Sequence, residues 1–279
     1  MDLFEILRRA VRNSIGFRSP VYQLGSSILT SAEVIRREGY GTWRRLRALS
    51  AHKGPSPELI LLRGLKHPIY VRPGTEDLAT IVNNVIREEY GQGQSFFTDA
   101  PQLMIDAGAF IGDTAAYFLS RFPTLNVVAL EPNLENFSLA RKNLAPYGNR
   151  VELLHSALGG TAGNVRFHGQ STGGFIQDDG IPVRMTTVPL LMKSRPETQV
   201  DILKLDIEGE ELAVLSDAAS EWLPSIGQII VEIHGRNIEK SVIPILSRNG
   251  FKMRRYRSIW LCTNPSWHSR VSHQLQGTL

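Results

Sequence analysis

Five near-continuous apolar runs between Leu103 and His234 each stop on a polar side chain, and few architectures accommodate that pattern. They are Leu103–Ile105 before Asp106, Val127–Leu130 before Glu131, Val151–Leu154 before His155-Ser156, Ile202–Leu205 before Asp206, and Ile229–Val231 before Glu232-Ile233-His234. Runs with so little alternation belong to strands covered on both faces, so the pattern predicts a parallel sheet flanked by helices. In open α/β sheets, ligands bind just beyond the carboxyl ends of the strands. The residues that punctuate the runs are therefore the ones placed to meet a ligand.

The first run leads into Asp106-Ala107-Gly108-Ala109-Phe110-Ile111-Gly112-Asp113-Thr114. Gly108 and Gly112 sit in a strand-to-helix turn, where glycine permits positive φ and close backbone approach. A helix is expected from about Asp113 to Arg121, closed by Phe122-Pro123. Glu131 follows Asp106 by 25 residues, at the tip of the next strand. An acid at that offset suits a ribose diol, because a carboxylate accepts both hydroxyl hydrogen bonds.

The turn departs from the dinucleotide fingerprint, which opens a helix N-terminus to pyrophosphate. Here a carboxylate, Asp106, precedes the first glycine and would repel a phosphate. A nucleoside with a positively charged tail fits better than NAD, and S-adenosylmethionine has both parts.

Four ordered motifs make the chain resemble the FkbM-type family of S-adenosylmethionine-dependent methyltransferases. They are Arg72-Pro73-Gly74-Thr75-Glu76-Asp77, Asp106 to Gly112, Glu131-Pro132-Asn133-Leu134-Glu135-Asn136-Phe137, and Leu203-Lys204-Leu205-Asp206-Ile207-Glu208-Gly209-Glu210-Glu211. Three positions depart from the family's usual pattern: Phe110 stands for Asn, Leu134 for Pro, and Thr187-Val188-Pro189 where a Leu-Asp pair is frequent. The resemblance implies an α/β fold: a doubly wound, mostly parallel, seven-stranded Rossmann-like methyltransferase sheet with an antiparallel last strand. It also implies an O-methyltransferase acting on a hydroxyl of a sugar, glycoconjugate or natural-product intermediate.

The expected organisation is a helical N-terminal extension (1–57), a methyltransferase domain (58–264) and a C-terminal tail (265–279). Leu3, Phe4, Ile6, Leu7, Ala10 and Val11 share one helical face, Glu33–Arg37 and Trp43–Leu49 suggest further helix, and 52–57 read as a linker. A strand at about 67–71 precedes a helix capped by Thr75, and Asn133 is placed to cap another. Weak alternation from about 163 to 186 suggests a hairpin or flap, with Gln170, Ser171, Thr172, Phe175, Gln177, Asp178 and Asp179 available to a sugar. A helix at about 238–247 and strands at about 251–257 and 259–263 complete the pattern.

Charge is uneven. Residues 1–72 hold thirteen Lys/Arg against five Asp/Glu, a balance of +8, and the remainder balances at −4. The basic excess favours an anionic acceptor or peripheral membrane contact, or is simply a solvated helical face. The helices also offer a surface for a homo-oligomer. One cysteine, Cys262, excludes an internal disulfide, and no apolar signal core precedes Asn13, so a cytoplasmic protein is expected.

Each candidate residue has a role set by its place. Asp106, Gly108, Phe110, Gly112 and Thr114 form the methionine side of the cofactor site; Glu131, Pro132 and Asn133 the ribose side; Ser156 and Ala157 the adenine edge. Lys204, Asp206 and Glu208 share one face if the fourth strand continues, and a Lys204–Glu208 ion pair is the alternative. Asp206 binds the cofactor ammonium or acts as base. With Glu208 it suits Mg²⁺, although two carboxylates are too few to specify a metal, and no metal ligand is assigned. His234 is a candidate general base. Arg72, Thr75 and Asp77, with Lys204, are candidates for a lid or acceptor contact, or for a helix cap and ion pair. The acceptor is a small molecule or glycan. A cofactor-binding scaffold without catalysis is the rival that Phe110 keeps open. An RNA methyltransferase is disfavoured because the core lacks an Asn-Pro-Pro-Tyr-like tetrad and a basic–aromatic cluster, so no nucleic-acid partner is expected.

Overall fold

The computed structural model describes residues 20–91, 100–169, 175–176, 180–195 and 199–267. The helical face expected at 3–11, the flap residues Gln170, Ser171, Thr172, Gln177, Asp178 and Asp179, and the tail beyond Trp267 lie outside the described residues. The chain falls into two compact units, Met1–Glu89 and Tyr90–Leu279. Among the described residues no helix is long and apolar enough to cross a membrane.

The first unit contains helices α1 (Pro20–Glu38) and α2 (Tyr40–Ser50), separated by Gly39 at φ +92°. Strand β1 (Glu58–Ile60) pairs antiparallel with β2 (Ile69–Val71). β1 was not expected, because three residues are too few to display alternation. Helix α3 (Asp77–Thr80) continues into wider π-type turns at Ile81–Ile86. Its entry is locked locally. Thr75 Oγ1 accepts from the Asp77 amide at 3.3 Å and donates to the Arg72 carbonyl at 2.8 Å.

In the second unit, β3 (Leu103–Ala107) feeds α4 (Asp113–Arg121) and β4 (Asn126–Leu130) feeds α5 (Leu134–Leu144). The α5 cap is Asn133, whose Oδ1 accepts from the Glu135 and Asn136 amides. Strand β5 (Val151–Leu154) is followed at once by β6 (Ser156–Leu158), then β7 (Gly163–His168), β8 (Phe175–Ile176) and β9 (Ile181–Thr186). Helix α6 (Val188–Lys193) is capped by Thr187 and leads to β10 (Val200–Leu205), α7 (Glu211–Val214), β11 (Ile226–Glu232), α8 (Arg236–Arg248), β12 (Lys252–Tyr256) and β13 (Ile259–Thr263).

Seven strands form one sheet in the order β12-β13-β11-β10-β3-β4-β5. All five apolar runs are strands of it, paired in parallel from β11 to β5. β13 is the antiparallel member, lying between β12 and β11. The sheet interior is fully enclosed: Ile105, Leu203, Leu205, Ile229 and Val231 have no exposed surface. The chain builds outward from β3 in one direction and returns to β10 on the other side, so the topological switch point lies between β3 and β10. Their carboxyl ends therefore bound the ligand crevice.

The segment expected as a hairpin is larger. β6, β9, β7 and β8 form a separate four-stranded sheet. Its β7–β9 pair is antiparallel, but β6 joins β9 in parallel. One small core of Ala157, Val183 and Met185 holds it.

Candidate active site

Gly108 is the contact between the two strands that frame the crevice. Its φ is +82°, and a Cβ there would overlap the Asp206 carbonyl oxygen. Its amide and that of Ala109 both donate to the Leu130 carbonyl, at 3.0 and 2.9 Å. The glycine turn is thus stitched to β4 on one side and pressed against the end of β10 on the other.

Phe110 occupies the left-handed region at φ +52°. Asn is tolerated there better than a bulky side chain, which gives a backbone reason for the Asn usual at this position. Gly112, at φ +80°, caps α4 and leaves room for the Leu144 side chain. Thr114 is buried in the first turn of α4.

Glu131 stabilises the same turn. Its Oε2 accepts from the Phe110 amide and its Oε1 from the Asn133 amide, both at 2.8 Å. The Asn136 side chain donates to the same carboxylate, which leaves it one further acceptor direction. Burial pushes the carboxyl up to about 7, although both amides pull it down. Pro132 offers its carbonyl to His155 Nε2 at 2.9 Å, and Asn133 Nδ2 donates to the Gly169 carbonyl. Ser156 and Ala157 are buried at the start of β6, where the Ser156 hydroxyl donates to the Arg184 carbonyl at 2.7 Å.

The strand β3 extends one residue past Asp106, whose side chain is fully buried. Lys204 crosses from the neighbouring strand. Its Nζ lies 3.3 Å from Asp106 Oδ1 and 3.6 Å from Asp206 Oδ2, and donates to the Gly108 carbonyl at 2.7 Å. Burial disfavours the ammonium, but Asp106, Asp206 and Asp113 outweigh it and hold Lys204 above its ordinary range. Asp106 is pushed up by burial, against the pull of Lys204. One buried cation thus ties both carboxylates to the glycine turn.

β10 ends at Leu205, so Asp206 and Glu208 do not continue its alternation. Glu208 turns through φ +52° and Gly209 through φ +113°. That turn redirects Glu208 away from Lys204, so the alternative Lys204–Glu208 pair is replaced by Lys204–Asp106 and Lys204–Asp206. Glu208 instead faces His234, whose Nε2 is 3.5 Å from Glu208 Oε2 and 3.8 Å from Asp206 Oδ1. The Tyr90 hydroxyl donates to Asp206 Oδ2 at 3.0 Å.

His234 Nδ1 meets Glu211 Oε1 at 2.9 Å. Burial alone would lower the imidazole. The Glu211 hydrogen bond and the charges of Glu211, Glu208 and Asp206 outweigh it and raise His234 to about 9. These neighbours favour the protonated imidazole. Glu208 is raised chiefly by burial and by neighbouring carboxylates, against the pull of His234. Asp206, Glu232 and His234 each offer an atom within 4.8 Å of the others, close enough for one divalent cation to reach all three.

The structure thus gathers Asp106, Gly108, Lys204, Asp206, Glu208 and His234 at the ends of β3, β10 and β11, with Glu131 beside them. Arg72, Thr75 and Asp77 lie in the first unit and bind one another. Arg72 grips the fully buried Asp77 through Nε at 2.9 Å and Nη2 at 2.8 Å. Two neighbours were not singled out from sequence. Glu211 closes the charged block after Asp206, so a signal existed. Tyr90 lies 116 residues from Asp206 and had none.

A family model described as the methyltransferase FkbM domain matches residues 106–253, just over half of the chain. Three relatives share shorter or weaker similarity. Ribosomal RNA small subunit methyltransferase H of Nocardia farcinica is 35% identical over 65 residues, covering 23% of this chain and 20% of that protein. Methyltransferase sdnD of Sordaria araneosa is 25% identical, covering 56% and 76%. Hexuronic acid methyltransferase AglP of Haloferax volcanii is 27% identical, covering 51% and 60%. The chain therefore spans between one fifth and about three quarters of these relatives' lengths.

Proposed function

Because the chain belongs to the methyltransferase FkbM family, we propose that it transfers the methyl group of S-adenosylmethionine to a hydroxyl of a sugar, glycoconjugate or natural-product intermediate. The observation that carries this reading is the juxtaposition of the glycine turn with Asp206, Glu208 and His234 across the switch-point crevice. The donor set fits the cofactor. Asp106, Asp206, Glu208 and Glu232 outnumber Lys204 and His234, which favours a ligand with ammonium and sulfonium charge. When bound, S-adenosylmethionine supplies an electrophilic methyl carbon.

The chain's own residues divide the remaining work. Glu131 accepts from the ribose diol through its remaining acceptor direction. Asp206, fixed by Tyr90 and Lys204, lines the crevice beside Gly108. Glu208 is half-exposed and its carboxyl is raised, which makes it a better proton acceptor than an ordinary carboxylate. It takes the acceptor's hydroxyl proton, while the charged His234 steadies the neighbouring carboxylates.

The ribose role is open to direct measurement. Glu131→Ala is expected to weaken S-adenosylmethionine binding by about 1–3 kcal/mol, the scale of hydrogen bonds to a charged group. The wild-type affinity should also rise between pH 6 and pH 8, because the ionised carboxylate is the stronger acceptor and its midpoint is about 7. Calorimetry on folded protein decides. Equal affinities in the two proteins would remove Glu131 from the site.

The acceptor class is tested with isotopically labelled methyl donor and a panel of nucleotide-sugars, glycolipid extracts, small phenols and RNA. Label in an ether-linked O-methyl sugar is the expected result. Label confined to RNA, protein or phenols overturns the hydroxyl-sugar reading, and no label with any acceptor despite cofactor binding favours the non-catalytic scaffold. A parallel arm with EDTA addresses Asp206, Glu232 and His234. Lys204 and His234 already bring positive charge to these carboxylates, so turnover should survive chelation; loss restored by Mg²⁺ would assign the cation to this trio.

A further inference from the structure

Glu211 has no exposed surface, yet it sits at the edge of the reacting cluster. Its Oε1 accepts from the Ile207 amide at 3.4 Å, the Gly209 amide at 3.2 Å and His234 Nδ1 at 2.9 Å. Its Oε2 is buried with no hydrogen-bond partner among the described residues. A buried carboxylate with one oxygen unsatisfied is an expensive way to stitch a turn. A glutamine would accept the same three hydrogen bonds through its own carbonyl oxygen and carry no charge. What only the carboxylate adds is a negative charge, which strengthens the Nδ1 bond that fixes the His234 ring; a neutral amide in its place holds the ring more weakly.

We propose that Glu211 is a positioning residue for methyl transfer, aiming the His234 imidazole so that its Nε2 faces the carboxylates of Asp206 and Glu208. The proposal deepens the function inferred above and rests on it. Two constraints act together. The amides of Ile207 and Gly209 tie Glu211 to the turn that carries Glu208, and the Nδ1 bond ties it to His234, two residues past the end of β11. One buried side chain thereby sets the distance between the Glu208 turn and His234. With Nδ1 held, only Nε2 is left to point into the crevice.

The groups facing His234 are Glu211 from α7, Asp206 and Glu208 from the turn after β10, and Glu232 from the end of its own strand. Lys204 lies on the other side of Asp206, its Nζ 3.6 Å from Oδ2. Removing the Glu211 charge alone therefore leaves three carboxylates in place and should lower, not abolish, the preference of His234 for its proton.

The experiment compares full-length wild type with Glu211→Gln. Histidine ¹⁵N chemical shifts follow the His234 titration, with His234→Asn used to identify its signal, and calorimetry follows S-adenosylmethionine binding. In the wild type His234 should titrate near 9. In Glu211→Gln the midpoint should fall by at least about one pH unit, since the carboxylate is its nearest charge. Cofactor affinity should stay within about twofold, because Glu211 does not face the ribose side. With an acceptor from the labelled panel, kcat should fall about tenfold or more at unchanged KM, and the pH–rate profile should move with the His234 midpoint. An unmoved His234 midpoint overturns the proposal, as does a shifted midpoint that leaves kcat and the pH–rate profile unchanged. If the panel yields no acceptor, the function inferred above fails, while the shift measurement still decides whether Glu211 governs His234. If Glu211→Gln does not fold, a wild-type His234 titrating at its ordinary value overturns the proposal by itself.

Discussion

Gly108→Ala is expected to lose about 3 kcal/mol of stability or more, together with measurable cofactor binding. Two costs combine. A residue with a Cβ at φ +82° carries a left-handed penalty of about 1–2 kcal/mol. The larger cost is steric, because the new methyl would overlap the Asp206 carbonyl, and backbone cannot rotate aside as a long side chain can. Either β3 or β10 must shift at its carboxyl end, which parts the glycine turn from Lys204 and Asp206. Gly209→Ala is the internal control. Gly209 is also at positive φ, +113°, but nothing lies within 4 Å of its added Cβ. It should show only the conformational penalty. Chemical denaturation of the two variants separates the terms, and equal losses would show that contact with Asp206 is not what requires glycine at position 108.

Lys204→Met should be the second large effect, about 3–5 kcal/mol, the scale of removing one partner from a buried ion pair. Methionine fills similar volume, so little of the loss is packing. It leaves Asp106 buried without its cation and releases the Gly108 carbonyl. The loss should depend on pH with a definite sign. Asp106 already has a folded-state pKa above its unfolded value, so its contribution to stability is present at low pH and lost as pH rises through the folded value. Without Lys204 that rise is larger. The gap between Lys204→Met and wild type should therefore narrow as pH falls from 8 toward 5, because protonation removes the uncompensated charge. Urea midpoints across that range test it, and a gap that widened on acidification would show that Asp106 is not the group left stranded.

Much of this was legible from the chain because parallel strands buried on both faces leave an apolar signature. All five runs became neighbouring strands, and Asp206 and His234 emerged where strands stop. The small sheet leaves only the signal of a hairpin or flap in the sequence, since β6 is three residues long and pairs with β9 in parallel across an intervening segment. Side-chain partners were less accessible than positions. Local spacing sets Lys204 against Glu208, four residues on. Its partner Asp106 is 98 residues away in the chain and adjacent only through strand register. The environment of His234 is likewise invisible in the sequence: its raised proton affinity follows from Glu211, Glu208 and Asp206 converging on it in space.

The small sheet has one further consequence. It leaves and rejoins the main fold at a single point: Leu158 is paired with Thr186, and the Gly159 amide donates to the Thr186 carbonyl at 3.0 Å. An excursion whose two ends are hydrogen-bonded neighbours can be lengthened, shortened or exchanged without altering the span that the seven-stranded frame must bridge. The stretch from Gly159 to Met185 is in this sense a replaceable cassette. Its backbone still meets the proposed cofactor side, where the Gly169 and Arg184 carbonyls accept from Asn133 and Ser156, so an exchange of the stretch retunes those two contacts while the register of β3, β10 and β11 stays in place.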